Sequence, residues 1–125
     1  MNGIFKNINV VSVQVTDWER AKKFYGETLG LGPAHVVIDE VGWMEFGGEG
    51  ETHLALNRAR EGDPQPGLGS TLCVFTADDA FKAAEELRKR GVKCDDVVVI
   101  PGMVAYATFY DSEGNHLQLA GPPPQ

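Results

Sequence analysis

The same order of predicted strands and helices occurs twice along the chain, and this repeat limits the possible folds more than any other feature. Each copy has one strand, one helix and then three further strands. The tetrapeptides His53-Leu54-Ala55-Leu56 and His116-Leu117-Gln118-Leu119 lie at the same place, in the last strand of each copy. Duplication of a supersecondary unit explains both the order and the local match. The sequence therefore predicts an α+β fold of two tandem βαβββ modules.

Alternating apolar and polar residues, bounded by glycine and proline, set the expected strands. In the first strand Val11, Val13 and Val15 alternate with a second, mixed set of side chains. The expected strands span residues 9–15, 35–39, 42–46, 52–57, 70–76, 92–100, 103–110 and 115–120.

Each expected helix ends at a glycine. Thr16 lies three residues before Glu19, which is the spacing of a capping box at the start of the first helix. Gly30 then follows the last residue of the apolar stripe, as a C-terminal glycine does. The second helix is expected over residues 78–90, with Gly91 directly after it.

A length of 125 residues suits one domain, residues 1–125, rather than two. Hydrophobic residues make up 42% and charged residues 23%, which is a normal globular mixture. We expect module one over residues 5–58 and module two over residues 70–121. Residues 59–69 are rich in glycine and proline, and we interpret them as the linker.

Charge and composition exclude several classes of partner. The net charge is −7 and the chain has no basic patch, so nucleic acid is not an expected partner. No apolar run is long enough to span a membrane, and the N-terminus has no signal-peptide pattern. Cys73 and Cys94 do not form a disulfide framework, and two free thiols favour a cytoplasmic location.

The two faces of each expected sheet differ in polarity. The apolar faces, with Val13, Leu54 and Leu56 among others, must cover the helices. The opposite faces are mixed, and two such sheets would enclose a shared cleft for a small molecule. Alternatively, these faces meet solvent. The polar residues assigned to the opposite faces are Ser12, Gln14, His53, Asn57, His116 and Gln118.

Two segments resemble the vicinal oxygen chelate superfamily. Residues 11–31, with Phe24-Tyr25 followed by Leu29-Gly30-Leu31, look like its opening strand and helix. Residues 108–119 resemble its closing hairpin, with Ser112 where the superfamily commonly has proline. The superfamily includes glyoxalase I, bleomycin and fosfomycin resistance proteins and extradiol dioxygenases. The resemblance covers nearly the whole chain and implies the glyoxalase/bleomycin resistance/dihydroxybiphenyl dioxygenase fold, whose curved sheets surround one cleft.

The resemblance also indicates where a metal ion would be held. Metal-dependent members use His and Glu side chains from the first and last strands of each module. Here those positions hold Val10, Ala55, Leu72 and Gln118. Valine, alanine and leucine offer no lone pair, and a neutral amide is a poor ligand for a transition metal. We therefore expect no metal cofactor at these positions.

Other residues offer an alternative site. His53 and His116 lie two positions before the expected closing-strand ligands, and with Glu45 they would suit Ni, Zn, Fe or Mn. The alternative is that each histidine bonds to backbone or solvent. His35 has no counterpart in the second module, so we interpret it as a surface residue. No catalytic residue can be named from the sequence.

Aromatic residues on the middle strands complete the expected ligand-binding set. Trp43, Tyr106 and Tyr110 have flat rings with polar edges, which suit stacking on a planar or conjugated ligand. Packing in the core would suit them equally well. The full predicted ligand-binding set is Trp43, His53, Tyr106, Tyr110, His116 and Gln118.

Two functions follow from these observations. The first is metal-free binding of a small organic molecule in the cleft between the modules, similar to the bleomycin resistance branch. The alternative is a divalent-metal-dependent lyase, isomerase or dioxygenase of the same superfamily. A homodimer is expected in either case, because the open sheet edges need cover.

Overall fold

The computed structural model describes Gly3 and residues 8–62, 65–67 and 73–125. The chain divides into two compact units, residues 1–66 and 67–125. Parts of the expected linker and of the expected strand at 70–76 lie outside the described residues. The module boundaries that fall there remain predictions.

Unit one contains a four-stranded mixed sheet, which we call sheet one. Its strand order is β1-β4-β3-β2, with β1 and β4 parallel and the other neighbours antiparallel. The helix α1 therefore lies in the crossover that starts at β1. The elements are β1 (Val10–Val15), α1 (Trp18–Lys23), a π-helical turn (Phe24–Thr28), β2 (Val36–Ile38), β3 (Trp43–Phe46) and β4 (His53–Arg58).

The first helix differs from its prediction at both ends. Its N-cap is Asp17, whose side chain accepts a hydrogen bond from the Arg20 N–H, so the predicted capping box at Thr16 is wrong. Asp is preferred over Thr as an N-cap, and Asp17 lies one residue nearer to the helix. At the other end the Leu29 N–H donates to the Phe24 carbonyl five residues earlier, which widens the helix into a π-turn.

The core face of sheet one carries the apolar side chains that alternate along its strands. Val13 pairs with Leu56, and Leu56 pairs with Met44, so the three lie on the same face. The ring of Phe46 on this face stacks against the buried ring of Tyr25 at 6.4 Å between centroids. The expectation that this face covers the helical segment is therefore confirmed.

Unit two repeats this topology. Sheet two has the order β5-β8-β7-β6, again with one parallel pair. The side chain of Asp79 caps α2 and accepts from two backbone N–H groups. The strand expected over 92–100 is shorter, because residues 95–97 do not pair as a strand and Cys94 makes only an isolated bridge to Phe109. The elements are β5 (Cys73–Thr76), α2 (Ala80–Lys89), β6 (Val98–Ile100), β7 (Val104–Tyr110) and β8 (His116–Gly121).

The core face of sheet two is apolar in the same way. Phe109, Leu117 and Leu119 are almost completely buried, and the rings of Phe75 and Phe109 are 6.1 Å apart. Cys73 pairs with Leu117 and so lies on this face, where burial raises the pKa of its thiol. A thiol in that setting is a poor nucleophile.

A tight turn joins β7 to β8. The buried Asp111 carboxylate accepts hydrogen bonds from the N–H groups of Glu113 and Asn115 and from the Asn115 amide. The Gly114 N–H donates to the Asp111 carbonyl, which closes a four-residue turn. Asn115 is fully buried, and its side-chain oxygen accepts from the Gly67 N–H.

Candidate functional site

The face of sheet one opposite its core carries the predicted polar residues, and we call it the site face of sheet one. The register sets them out in rows across β1, β4 and β3. Gln14, Asn57 and Trp43 form one row. The remaining residues of the site face on these strands are Ser12, Ala55 and Glu45 in the next row, then Val10 beside His53.

Three of these side chains form one hydrogen-bonded network. The indole Nε1 of Trp43 donates to Glu45 Oε2 at 2.7 Å. His53 Nδ1 bonds to Glu45 Oε1 at 2.7 Å, and His53 Nε2 bonds to the Gly48 carbonyl at 2.8 Å. The sequence predicted Trp43 and His53 as site residues, and in the structure both side chains form hydrogen bonds with the Glu45 carboxylate.

The hydrogen-bond pattern favours the protonated form of His53. A carbonyl oxygen and an ionised carboxylate can only accept, so both contacts are hydrogen bonds only when both ring nitrogens carry hydrogen. The bonds to Glu45 and Gly48 raise the pKa of His53 above its ordinary value near 6.5. The bonds from Trp43 and His53 lower the pKa of Glu45. These contacts favour an imidazolium bonded to a carboxylate, and in that form His53 offers no lone pair to a metal or to a substrate proton.

His35 belongs to the same cluster, although we expected it to be a surface residue. Its ring lies edge-on to the ring of His53, with 5.0 Å between centroids. The His35 N–H donates to the Glu45 carbonyl at 2.7 Å, which anchors it beside β3. His35 is indeed exposed. Sequence periodicity could not predict the contact between His35 and His53, because His35 precedes β2 and reaches His53 across β3.

An amide pair completes the first row of the site face of sheet one. The Asn57 side-chain nitrogen donates to the side-chain oxygen of Gln14 at 3.1 Å, across the parallel strands β4 and β1. The pair lies in the same row as Trp43. This row therefore presents an aromatic ring beside two amides, which suits a flat ligand with polar substituents.

Sheet two has a corresponding site face, opposite its own core face. Tyr106 and Tyr110 lie on it along β7, and His116 and Gln118 lie on it along β8. All four belong to the predicted ligand-binding set. The other described residues of this face on β5, β7 and β8 are Val74, Thr76, Val104, Thr108 and Ala120.

An aromatic cluster lies at one end of the site face of sheet two. The rings of Tyr110 and His116 meet edge to face at 4.8 Å. The Tyr110 hydroxyl donates to Asp95 at 2.8 Å, and this bond raises the pKa of the hydroxyl. The Lys93 ammonium lies 4.6 Å from the centroid of the same ring. These contacts hold the Tyr110 ring from three sides.

The two site faces correspond position by position because the two sheets share one topology. Each face has an aromatic residue on its third strand, and each has a histidine on its last strand. The residue at the centre of the face in sheet one is Ala55, which is small and buried. In sheet two it is Gln118, whose amide donates to Thr108. The corresponding pairs are Trp43 and Tyr106, Glu45 and Thr108, Ala55 and Gln118, and His53 and His116.

The family's metal-ligand positions do not fit a metal ion in this chain. Val10 and Ala55 lie on the site face of sheet one as expected, and neither has a donor atom. Gln118 lies on the site face of sheet two, and its amide nitrogen donates to Thr108 at 3.2 Å. Leu72 lies outside the described residues.

The residues of the alternative metal site fall in both units. Glu45 and His53 bond to each other in unit one, and His116 lies in unit two against Tyr110. Within residues 8–62, 65–67 and 73–125 and Gly3, no group of three or more His, Cys, Asp or Glu side chains is arranged to hold a metal ion.

Comparison with known proteins identifies the class to which this fold and these faces belong. The model of the Glyoxalase/Bleomycin resistance protein/Dioxygenase superfamily matches residues 7–119, and the chain belongs to this family. The predicted fold of two βαβββ modules is confirmed. In the described part of the chain, every helix is too short or too polar to cross a lipid bilayer.

Individual relatives are similar over nearly their whole length. TnmS3, an antibiotic binding protein from Streptomyces sp. CB03234, superposes with a TM-score of 0.79 at 29% identity, covering 97% of this chain and 99% of TnmS3. A glyoxalase/bleomycin resistance protein from the same organism has a TM-score of 0.68 at 30% identity, covering 90% and 98%. The uncharacterized protein YetH of Bacillus subtilis (strain 168) is 29% identical over 120 residues, or 90% of this chain and 95% of YetH.

Proposed function

We propose that this protein binds a planar or conjugated small organic molecule, without a metal cofactor. The observation that carries the proposal is the pair Trp43 and Tyr106, which hold corresponding positions on the site faces of the two sheets. Both rings stand beside polar side chains, an arrangement suited to stacking with hydrogen bonds at the edges. The similarity to TnmS3, an antibiotic binding protein, supports the binding of a small organic molecule.

The predicted ligand-binding residues take different parts in this proposal. Trp43 and Tyr106 provide stacking surfaces. Tyr110, His116 and Gln118 provide a polar edge on sheet two, where Tyr110 is held in place by Asp95 and Lys93. His53 acts indirectly, through the carboxylate that holds Trp43.

Binding is tested with a panel of planar aromatic antibiotics and dyes, by calorimetry on the full chain. A Trp43→Ala variant is expected to weaken binding about tenfold or more, because a stacking surface near the ligand is lost. The matched control is Trp18→Phe, because Trp18 is buried at the start of α1 and bonds to Asp39. Equal affinities in the wild type and in Trp43→Ala would reject the assignment of Trp43.

The absence of a metal cofactor is tested separately. The protein is dialysed without chelator, and bound Ni, Zn, Fe and Mn are measured. We expect far less than one ion per chain and no thermal shift on adding any of them, because Val10, Ala55 and Leu72 have no donor atoms. A stoichiometric ion that disappears in a His116→Ala variant would instead favour the metal-dependent lyase, isomerase or dioxygenase.

We also propose that the protein acts as a homodimer in the cytoplasm. Each sheet has two edge strands, β1 and β2 in sheet one and β5 and β6 in sheet two, and unpaired strand edges invite pairing with another chain. The two cysteines are free thiols, as is usual in a reducing compartment. Cell fractionation with an antibody to the chain tests the location, and a periplasmic or secreted pool would contradict it.

A further inference from the structure

We propose that the ligand held against Trp43 is uncharged or anionic, and that Glu45 is a positioning residue for Trp43 rather than a counter-ion for a cationic ligand. This inference rests on the proposed function and names its ligand class. The net charge of −7 suggests a cationic ligand instead. The contacts of the site face of sheet one point the other way.

Both oxygens of the Glu45 carboxylate already have donors. Oε2 accepts from the Trp43 indole and Oε1 accepts from His53, each at 2.7 Å. His53 is the partner of this carboxylate, and in its protonated form it offsets the carboxylate charge within the network. A cationic ligand at Trp43 would share the carboxylate with two donors already bonded to it, and it would lie near the His53 imidazolium.

The other described side chains of the two site faces carry no carboxylate. On sheet one the remaining polar groups are amides and a hydroxyl, and on sheet two they are hydroxyls, an amide and an imidazole. Beside the second face, the Asp95 carboxylate accepts from Tyr110, and Lys93 lies over the same ring. Asp95 and Glu51 lie close to the two faces but outside their strands, and net charge is a poor guide to the ligand.

A positioning role also explains why Glu45 lies on the site face of sheet one. Trp43 and Glu45 are two residues apart on β3 and so point to the same side of the sheet. The bond between them holds the indole along the strand, and His53 holds the carboxylate from the neighbouring strand. A stacking ring held in one orientation loses less conformational freedom on binding.

The test uses three naphthalene probes that differ in charge: 2-naphthalenemethanol, 2-naphthoate and (2-naphthylmethyl)trimethylammonium. Affinities for the full-length chain are measured by calorimetry at neutral pH. We expect the neutral and anionic probes to bind about tenfold or more tightly than the cation, a difference of about 1.4 kcal/mol. The tightest binding by the cation would overturn the inference.

Glu45→Gln separates a positioning role from a counter-ion role. If Glu45 positions Trp43, its replacement is expected to weaken binding of the neutral and anionic probes by a similar factor, without a selective loss of cation binding. It is also expected to move the NMR signal of the Trp43 indole N–H while leaving that of Trp18 in place. A selective loss of cation binding would assign Glu45 as the counter-ion.

The matched control is Asp39→Asn, because Asp39 accepts from the Trp18 indole at 2.8 Å as Glu45 does from Trp43. This variant is expected to move the Trp18 signal and to leave all three affinities unchanged. If no probe bound the wild type, the proposed planar-ligand function would fail and the inference with it. If the cation bound best and Trp43→Ala abolished that binding, the function would stand and the charge assignment alone would fail.

Discussion

At the scale of single residues, Gly47 determines where the His53 side chain can lie. A Cβ added to Gly47 would lie 2.6 Å from His53 Cδ2, and the residue has a φ of +139°. The missing side chain lets the His53 ring lean over the backbone and reach Gly48. In sheet two the residue opposite His116 is Tyr110, and there the histidine packs against a ring instead.

Gly47→Ala is expected to destabilise the chain by about 1–3 kcal/mol and to displace His53. Because the bonds to Glu45 and Gly48 would break, the pKa of His53 is expected to fall towards its ordinary value. The matched control is Gly50→Ala, which also has a positive φ but has no atom within 4 Å of the added Cβ. Urea unfolding and NMR titration measure both effects, and an unchanged His53 pKa in Gly47→Ala would contradict the steric explanation.

The free energy of unfolding is expected to depend on pH through His53. Its pKa in the folded chain is raised above the ordinary value near 6.5. The resulting stabilisation is complete below that ordinary value and is lost as the pH rises through the folded-state pKa. Glu45 on β3, the Gly48 carbonyl and Glu51 in the following turn raise this pKa, and the ring of His35 contacts that of His53.

Urea unfolding across this pH range, with His53→Gln as the comparison, measures the contribution. The variant is expected to lose the decline in stability above neutral pH. An NMR titration that placed the His53 pKa at or below 6.5 in the wild type would refute the imidazolium assignment, and Glu45→Gln should lower the measured value.

At the scale of elements, the turn between β7 and β8 contains a position suited to proline. Among the described residues, the Ser112 N–H makes no hydrogen bond and the buried Ser112 hydroxyl has no partner. Ser112 follows Asp111 in a turn closed by the Gly114 N–H, and proline is favoured at this second position. We expect Ser112→Pro to stabilise the chain by about 0.4–1 kcal/mol.

The matched control for this turn is Glu113→Pro. The Glu113 N–H donates to the buried Asp111 carboxylate at 2.8 Å, so proline there removes a bond to a charged group. A loss of about 1–3 kcal/mol is expected. Thermal and urea unfolding measure both variants, and destabilisation by Ser112→Pro would show that the backbone at 112 does not fit proline.

Period-two alternation was enough to predict the faces of the strands. Val13 and Leu56 were assigned to the core face and His53 and Gln118 to the opposite face, and the strand register agrees. The reason is physical, because a shift of one residue would expose every apolar side chain of a strand. The repeat in turn predicted the shared topology of the two sheets.

Contacts that depend on backbone detail could not be predicted in this way. The π-turn at Phe24–Thr28 needs a hydrogen bond over five residues, for which the apolar stripe gives no signal. The contact of His35 with His53 crosses β3 and needs the space above Gly47. The bond between Trp43 and Glu45 follows once the register is known, but sequence alone left that register open.

At the scale of the whole molecule, we expect a dimer. The edge strands β2 and β6 each carry exposed apolar side chains, with Ile38 and Ile100 about two-fifths exposed. Light scattering at micromolar concentration should give twice the 13.6 kDa of the chain. Ile38→Lys and Ile100→Lys place a charge on the β2 edge and on the β6 edge, and a variant that yields monomers would show that its edge pairs. A monomeric wild type would reject the expectation.

The correspondence between the two site faces has a consequence for how a binding preference can change. The chain contains two copies of one scaffold, and matching places hold different groups, such as Glu45 and Thr108. Each unit has its own core, so we expect a substitution on one face to leave the sheet of the other intact. Such a chain can acquire a new preference through changes in one half while the other half keeps its own.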